Sequence, residues 1–221
     1  MKLLDWLLDL LYPPKCVICG GLLEKRGPVC ARCLEHLPEY DGAAPHVRFT
    51  EAGAVSFYYE GDLRTSFLRF KFGGAAQYAA TYAATYGAWM AHTIEDKLAG
   101  HYDLLTWAPV SRARKRSRGY DQSELLCREI GKRLRMEPVR TLRKIKNPPA
   151  QSALPDPAQR RANVSGAYAP ESPERFAGKR ILLIDDIVTT GATLSECSRT
   201  LLLAGASDVV YAALAAPRKQ D

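Results

Sequence analysis

Ile181-Leu182-Leu183-Ile184-Asp185-Asp186-Ile187-Val188-Thr189-Thr190-Gly191-Ala192-Thr193 is an aliphatic run that ends in two carboxylates and then in a small, hydroxyl-rich turn. Four aliphatic residues in succession predict a strand buried on both faces, and the turn after the acids predicts the opening of a helix. Across Thr189, Thr190, Gly191, Ala192 and Thr193, successive backbone N–H groups and threonine hydroxyls can be directed at one phosphate, at the positive end of that helix. Gly191 allows close backbone approach. Asp185 and Asp186 fall where the hydroxyls of a sugar attached to that phosphate would lie, so they can accept hydrogen bonds from a ribose and help to hold a hydrated Mg²⁺. The bland alternative is a capped helix after a strand, with both acids solvated; the length of the combined pattern argues against it. No Walker A loop occurs, so nothing supports an ATP-driven motor.

On the N-terminal side of this stretch, the chain from Tyr102 alternates strands and helices: Leu104 to Val110 reads as a strand, Ser123 to Leu134 as a helix and Ile181 to Ile184 as a buried strand. That alternation predicts an α/β domain with a parallel sheet, whose ligand sites lie beyond the carboxyl ends of the strands. The densest basic run, Arg112-Ala113-Arg114-Lys115-Arg116-Ser117-Arg118, comes after one such strand and reads either as a solvated face or as a surface for an anion.

Further upstream, Ala54 to Tyr59 reads as a strand ending in the turn Glu60-Gly61-Asp62, and Leu63, Phe67, Leu68, Phe70 and Phe72 mark an apolar helix side. A longer helix is expected over Ala75 to Leu98. Its tyrosines Tyr78, Tyr82 and Tyr86 recur every fourth residue, which we read as core packing against the following sheet in preference to an aromatic binding platform. Gly, Ala and Pro between Pro38 and Pro45 read as a linker, so the expected division is a unit over 1–44 and a main domain over 45–221, with packing elements in 45–100 and the core in 101–217.

In the first unit four of the six cysteines form two Cys-x-x-Cys pairs, Cys16 with Cys19 and Cys30 with Cys33. Each pair can turn both thiolates onto one ion, Gly20-Gly21 and Gly27-Pro28 supply the turns, and four thiolates close a tetrahedral shell around a structural Zn²⁺. Two disulfides or a redox pair are the alternatives, and neither fits a reducing compartment without a surrounding βαβ pattern. His36 could serve as a substitute ligand, and Cys127 and Cys197, each in a predicted helix, read as buried small hydrophobes. Leu3 to Leu11 imitates a signal peptide, but Asp5 and Asp9 interrupt it and no small-residue cleavage site comes after it, so a short amphipathic helix and a cytoplasmic location are expected. No stretch approaches the roughly 20 apolar residues of a membrane span. With 221 residues, 47% hydrophobic and 25% charged, the composition is that of a folded globular chain, and a formal charge of +7 favours anionic ligands of any size.

The stretch around Asp185 resembles the 5-phosphoribosyl-1-pyrophosphate (PRPP) signature of type I phosphoribosyltransferases. Together with the double Cys-x-x-Cys, Arg118-Gly119-Tyr120-Asp121-Gln122-Ser123-Glu124-Leu125, and Gln151-Ser152 with Arg160 and Asn163, it makes nearly the whole chain similar to the ComF family. Where family members more often carry Asn, this chain carries Asp121.

The resemblance implies a type I phosphoribosyltransferase-like fold, a twisted parallel sheet flanked by helices with a hood over the site and a small N-terminal zinc ribbon. It also implies that the turn Pro109-Val110-Ser111-Arg112 approaches the pyrophosphate of PRPP, with the basic run through Arg118 beside it. Lys144 to Ser165 would be a catalytic loop bringing Arg160 or Arg161 to the leaving group, a disordered insert being the other reading. The implied chemistry is displacement of pyrophosphate from C1 of PRPP by a nucleophile that no residue here identifies. The family's association with DNA uptake in competence implies an alternative role as an accessory protein for single-stranded DNA with a competence-machinery partner. Tyr120 is the single aromatic near the basic run, which gives base stacking little support.

Overall fold

The structure is a computed structural model that describes residues 14–23, 27–72, 76–146 and 165–218. Its strands in chain order are β1 (Gly53–Tyr58), β2 (Leu104–Trp107), β3 (Leu142–Lys144), β4 (Tyr168–Pro170), β5 (Arg180–Ile187) and β6 (Asp208–Ala216). Four of them form an all-parallel sheet in the order β1-β6-β5-β2, and β3 and β4 make a separate antiparallel pair. Side chains alternate across β5 and β6. Leu182, Ile184, Val210, Ala212 and Leu214 belong to one core cluster, while Ile181, Leu183, Val209, Tyr211 and Ala213 belong to the other. Burial on both sides is why these strands carry no polar alternation.

The helices are α1 (Ala31–Glu35), α2 (Gly61–Phe72), α3 (Ala76–Lys97), α4 (Arg112–Arg118), α5 (Gln122–Leu134) and α6 (Ala192–Leu203). The first core cluster joins α2, α3 and α5 through Phe67, Phe70, Tyr86, Met90, Ile94, Leu126 and Ile130, and the second holds Leu194, Cys197 and Leu201 of α6. A Cβ on Gly87 of α3 would lie 2.6 Å from Glu129 Cβ, so glycine is what lets α3 and α5 approach so closely. The cysteines Cys127 and Cys197 are fully buried, as their helical positions predict, and burial pushes both thiols well up.

Two strand ends and the packing of the α3 tyrosines differ from the sequence reading. β2 stops at Trp107 because Pro109 has no N–H to donate and the Val110 N–H is taken by the Asp121 carboxylate at 2.9 Å. β5 runs three residues beyond Ile184, since Asp185 and Ile187 still pair with Ala213 and Ala215 of β6; the acids therefore stand inside the strand. The tyrosines of α3 do not pack on the sheet as a row. Tyr86 is fully buried against Phe67 and Phe70 of α2, Tyr82 stacks on Phe70 at 5.7 Å, and Tyr78 is exposed. Leu3 to Leu11 lies outside the described residues. Among the described residues no helix is long and apolar enough to cross a membrane.

Candidate functional site

The carboxyl end of β5 places Asp185 and Asp186 side by side at the edge of the sheet. Asp185 is 8% exposed; its Oδ1 accepts from Ser123 Oγ of α5 at 3.2 Å and from the Asp186 N–H at 2.8 Å. Burial, then the neighbouring Asp186 charge, raises the Asp185 carboxyl to about 7, against the opposing pull of Lys71 and the Ser123 hydroxyl. Asp186 is less enclosed and forms an ion pair, Lys71 Nζ to Oδ2 at 3.3 Å, while its Oδ1 accepts from the Ile187 N–H. Among the described residues Lys71 is the one cation in an ion pair with these acids, and two adjacent carboxyl groups are a donor set suited to a divalent cation and to donor hydroxyls.

Directly after the strand the chain turns through Val188, whose N–H bonds the Ala215 carbonyl, to Gly191, the residue that starts α6. Gly191 has φ +69°, and a Cβ there would sit 3.1 Å from Val47 Cγ2, so both conformation and space select glycine. No side chain caps this helix at Gly191; the Thr190 hydroxyl lies 3.4 Å from the Ala192 N–H. Thr189 and Thr190 occupy the turn between the acids and the positive end of α6, as the sequence predicts.

The turn after β2 comes alongside, tied by the Ala108 N–H to the Ile184 carbonyl at 2.9 Å. Val110 and Ser111 lie at its head, and Ser111 Oγ accepts from the Arg114 N–H as the cap of α4. The peptide bonds of this turn are trans. Arg112 begins that helix and Arg118 ends it, with no buried residue between them. Arg118 is half-buried, donates to Gln122 Oε1 at 3.0 Å and lies over the Phe72 ring at 4.9 Å; burial holds its guanidinium below the usual value although Asp186 pulls the other way.

Asp121 organises this corner. It is almost fully buried, starts α5 and accepts from both the Val110 N–H and the Glu124 N–H. Burial raises its carboxyl, and those two N–H groups work against the rise. The pair β3–β4 closes the site's other flank with Lys144 set 5.0 Å over the Tyr168 ring; burial, then Arg114, lowers the Lys144 ammonium. Arg160, Arg161, Gln151, Ser152 and Asn163 lie outside the described residues.

The sequence reading missed three contributors. Ser123 and Asp121 stand within a motif it singled out, but Ser123 meets Asp185, 62 residues further on, and Asp121 serves the Val110 N–H of the preceding turn as well as its own helix. Lys71 gave no signal, because it sits in a helix whose pattern spoke only of packing.

At the other end of the chain the sulfurs of Cys16, Cys19, Cys30 and Cys33 all lie within 4.8 Å of one another, and none is in a disulfide. A tetrahedral Zn²⁺ with bonds of about 2.3 Å sets sulfurs ~3.8 Å apart, so the cluster fits the ion. Backbone N–H groups support it, Gly21 to Cys19 Sγ and Cys30 to Cys16 Sγ, each at 3.4 Å. Burial opposes ionisation of Cys16, but the N–H groups of Cys19, Cys30 and Ile18 outweigh it and bring the thiol down to about 7. Cys33 is pushed far up, by burial and then by hydrogen bonding to Cys30 and Cys19. His36 takes no part; its Nδ1 donates to the Arg32 carbonyl at 2.8 Å.

Comparison with known proteins joins the two halves. The family model for a double zinc ribbon domain matches residues 7–45, and that for the phosphoribosyl transferase domain matches residues 129–221. Competence protein F of Haemophilus influenzae is 27% identical over 202 residues, a match that covers 89% of this chain and 82% of that protein. The chain thus carries a double zinc ribbon domain ahead of a phosphoribosyl transferase domain and is similar to competence protein F over most of its length. The DNA utilization protein YhgH of Escherichia coli O157:H7 is 31% identical over 108 residues, 48% of this chain and 46% of that protein. The corresponding protein of strain K12 is 30% identical over 108 residues, again 48% of this chain and 46% of that one. The chain thus matches less than half the length of the DNA utilization proteins.

Proposed function

We propose that this protein binds PRPP with Mg²⁺ at the carboxyl end of β5 and transfers its phosphoribosyl group to an acceptor, releasing pyrophosphate. The observation that carries the reading is the adjacency of the Asp185–Asp186 pair to the positive end of α6, which opens on Gly191 in the left-handed region. Thr189, Thr190, Gly191, Ala192 and Thr193 cradle the 5′-phosphate at the positive end of α6. Asp185 and Asp186 accept hydrogen bonds from the ribose hydroxyls and hold the hydrated ion. Val110, Ser111, Arg112 and Arg118 face the pyrophosphate, with Arg160 and Arg161 from the segment between β3 and β4 as further cations for the leaving group. The C1–oxygen bond breaks with its electron pair leaving on pyrophosphate, and the acceptor's lone pair forms the new bond to C1 through a transition state of oxocarbenium character. Mg²⁺, when bound, supplies charge that steadies the departing group. The protein's own share is positioning and fixed cationic charge, the usual main terms when no covalent intermediate is needed.

In this reading residues 1–44 form the zinc ribbon unit and 45–221 the transferase-like domain, and reduced thiols in the ribbon suit the cytoplasm. Calorimetric titration of PRPP with and without Mg²⁺ into the wild type and Asp185→Asn/Asp186→Asn is the test. Mg²⁺-dependent heat that disappears in the variant is expected; a folded wild type that binds no PRPP ends the reading.

A second reading is favoured by α4, which presents Arg112, Arg114, Lys115, Arg116 and Arg118 on a helix without a buried residue. It is handling of single-stranded DNA beside a competence partner, PRPP acting as ligand or regulator. Affinity for an oligonucleotide that falls steeply with salt supports it, since each neutralised phosphate adds about 0.7 to the slope of log K against log salt.

A further inference from the structure

The acid pair and the ribbon are joined by one helix. On its ribbon side, α2 donates from Ser66 Oγ to the Val17 carbonyl and from Arg69 Nη2 to the carbonyls of Val17 and Ile18, the two residues inside the first Cys-x-x-Cys. Ser66 Oγ also meets Tyr86 Oη, and Arg69 Nε donates to Tyr82 Oη at 3.3 Å, so both tethers are braced from α3. Cys16, Val17, Ile18 and Cys33 share one continuous core cluster with Leu63, Phe67 and Phe70 of α2. At the site end, carbonyls of the last turn of α2 are taken by side chains of the Arg118–Leu125 segment: Tyr120 Oη donates to the Phe70 carbonyl and Gln122 Nε2 to that of Lys71. Phe70 stacks on Tyr120 and Phe72 lies under Arg118. In this same last turn stands Lys71, whose ammonium reaches Asp186.

We propose that Lys71 is a positioning residue for Asp186, and that α2 acts as a strut through which the ribbon's first knuckle sets the geometry of the acid pair. The tethering residues Ser66 and Arg69 lie within two turns of Lys71, and a packed helix transmits displacement along its length because its interior contacts leave no slack. The ribbon is then part of the ligand site without touching the ligand. Linkage requires the reverse as well: a ligand that fixes Asp186 must tighten the ribbon by the same factor.

The ligand arm of the test rests on the PRPP reading, and the other arm does not. Hydrogen exchange at the Val17–Gly20 and Ile187–Val188 amides is measured in the zinc-loaded full chain without ligand, in wild type, Arg69→Met, Lys71→Met and Lys71→Arg; PRPP affinity with Mg²⁺ is then measured in each. Arg69→Met is expected to speed exchange at both segments although it touches neither acid, and to weaken Mg²⁺–PRPP binding by about three- to ten-fold. Lys71→Met is expected to speed exchange at Ile187 and weaken binding by about ten-fold, with Lys71→Arg restoring most of both. Where Arg69→Met fails to fold, Arg69→Lys, which keeps a single donor group, takes its place. Faster exchange in the ribbon alone, with the Ile187–Val188 amides unmoved, overturns the strut; so does an Arg69 substitution that leaves the ribbon amides unchanged. If the wild type binds no PRPP, the function proposed above fails while the exchange measurements still decide the coupling.

Discussion

The two clusters of chemistry in this chain are built in opposite ways. The ribbon's four sulfurs come from 18 residues of sequence, converge on one point and leave no position for a ligand beyond the ion. The acid pair comes from a single strand end, but the side chains that orient it come from α2 and the start of α5, 114 and 62 residues away for Lys71 and Ser123 counted to Asp185. A closed site made of neighbours depends on its metal; an open site made of distant parts depends on the fold.

The ribbon offers the most severe test of that contrast. Removing zinc with a strong chelator, or replacing Cys16 with Ser, is expected to unfold residues 14–37 while the parallel sheet persists, because the ribbon has too little core of its own and metal binding supplies on the order of 10 kcal/mol to such folds. Metal analysis should fall from about one equivalent per chain to none. Far-ultraviolet dichroism should keep most of its helical signal; collapse of the whole spectrum would show that the sheet too depends on the ion.

At the acid pair the expected loss is of binding, not of fold. Asp185→Asn/Asp186→Asn should reduce Mg²⁺-dependent PRPP affinity by about 100-fold or more, since two charged acceptors are removed together. The same exchange at Asp185 alone should stabilise the ligand-free protein. Its folded value of about 7 lies above the ordinary 3.8, so the folded state retains a proton that the unfolded chain releases. Stability from this group is therefore fully present below about pH 4 and is lost as pH rises through 7. Asp185→Asn escapes that loss, and its gain in melting free energy, on the order of 2–4 kcal/mol at pH 8, should shrink towards zero near pH 4. No pH dependence in the gain would mean that the burial of Asp185 is not what raises its carboxyl. A residue that costs stability and gains affinity marks a site built for a ligand.

The smallest effect is expected at Asp121. Alanine there leaves the Val110 and Glu124 N–H groups without their shared acceptor, at about 1–2 kcal/mol by chemical denaturation. Asparagine, which keeps one acceptor oxygen, should recover about half of this.

Legibility from sequence divides along the same line. The ribbon could be read from spacing alone, and the strand, acids and glycine of residues 181–193 predicted both the parallel sheet and the start of α6. The end of β2 could not be read, because a carboxylate 11 residues further on claims the Val110 N–H. Nor could the continuation of β5 through its acids, which depends on pairing with β6. Lys71 was invisible because helical periodicity reports the buried side of a helix and says nothing of which exposed residue meets a distant strand. Periodicity and spacing record local geometry; the partners of Asp185 and Asp186 are decided by how separate elements dock.

The strand order carries a consequence for the making of the protein. β6, last in chain order of the described strands, lies between β1 and β5. Until residues 208–216 emerge from the ribosome, β1 has waited some 150 residues for its neighbour and β5 has only β2. At about 5–20 residues per second that is a delay of roughly eight to thirty seconds, during which the nascent chain exposes an apolar strand edge. The ribbon, whose four ligands are all translated before β1, can meanwhile take up its ion. The segment completed earliest is thus the one whose folding asks least of the residues still to be made.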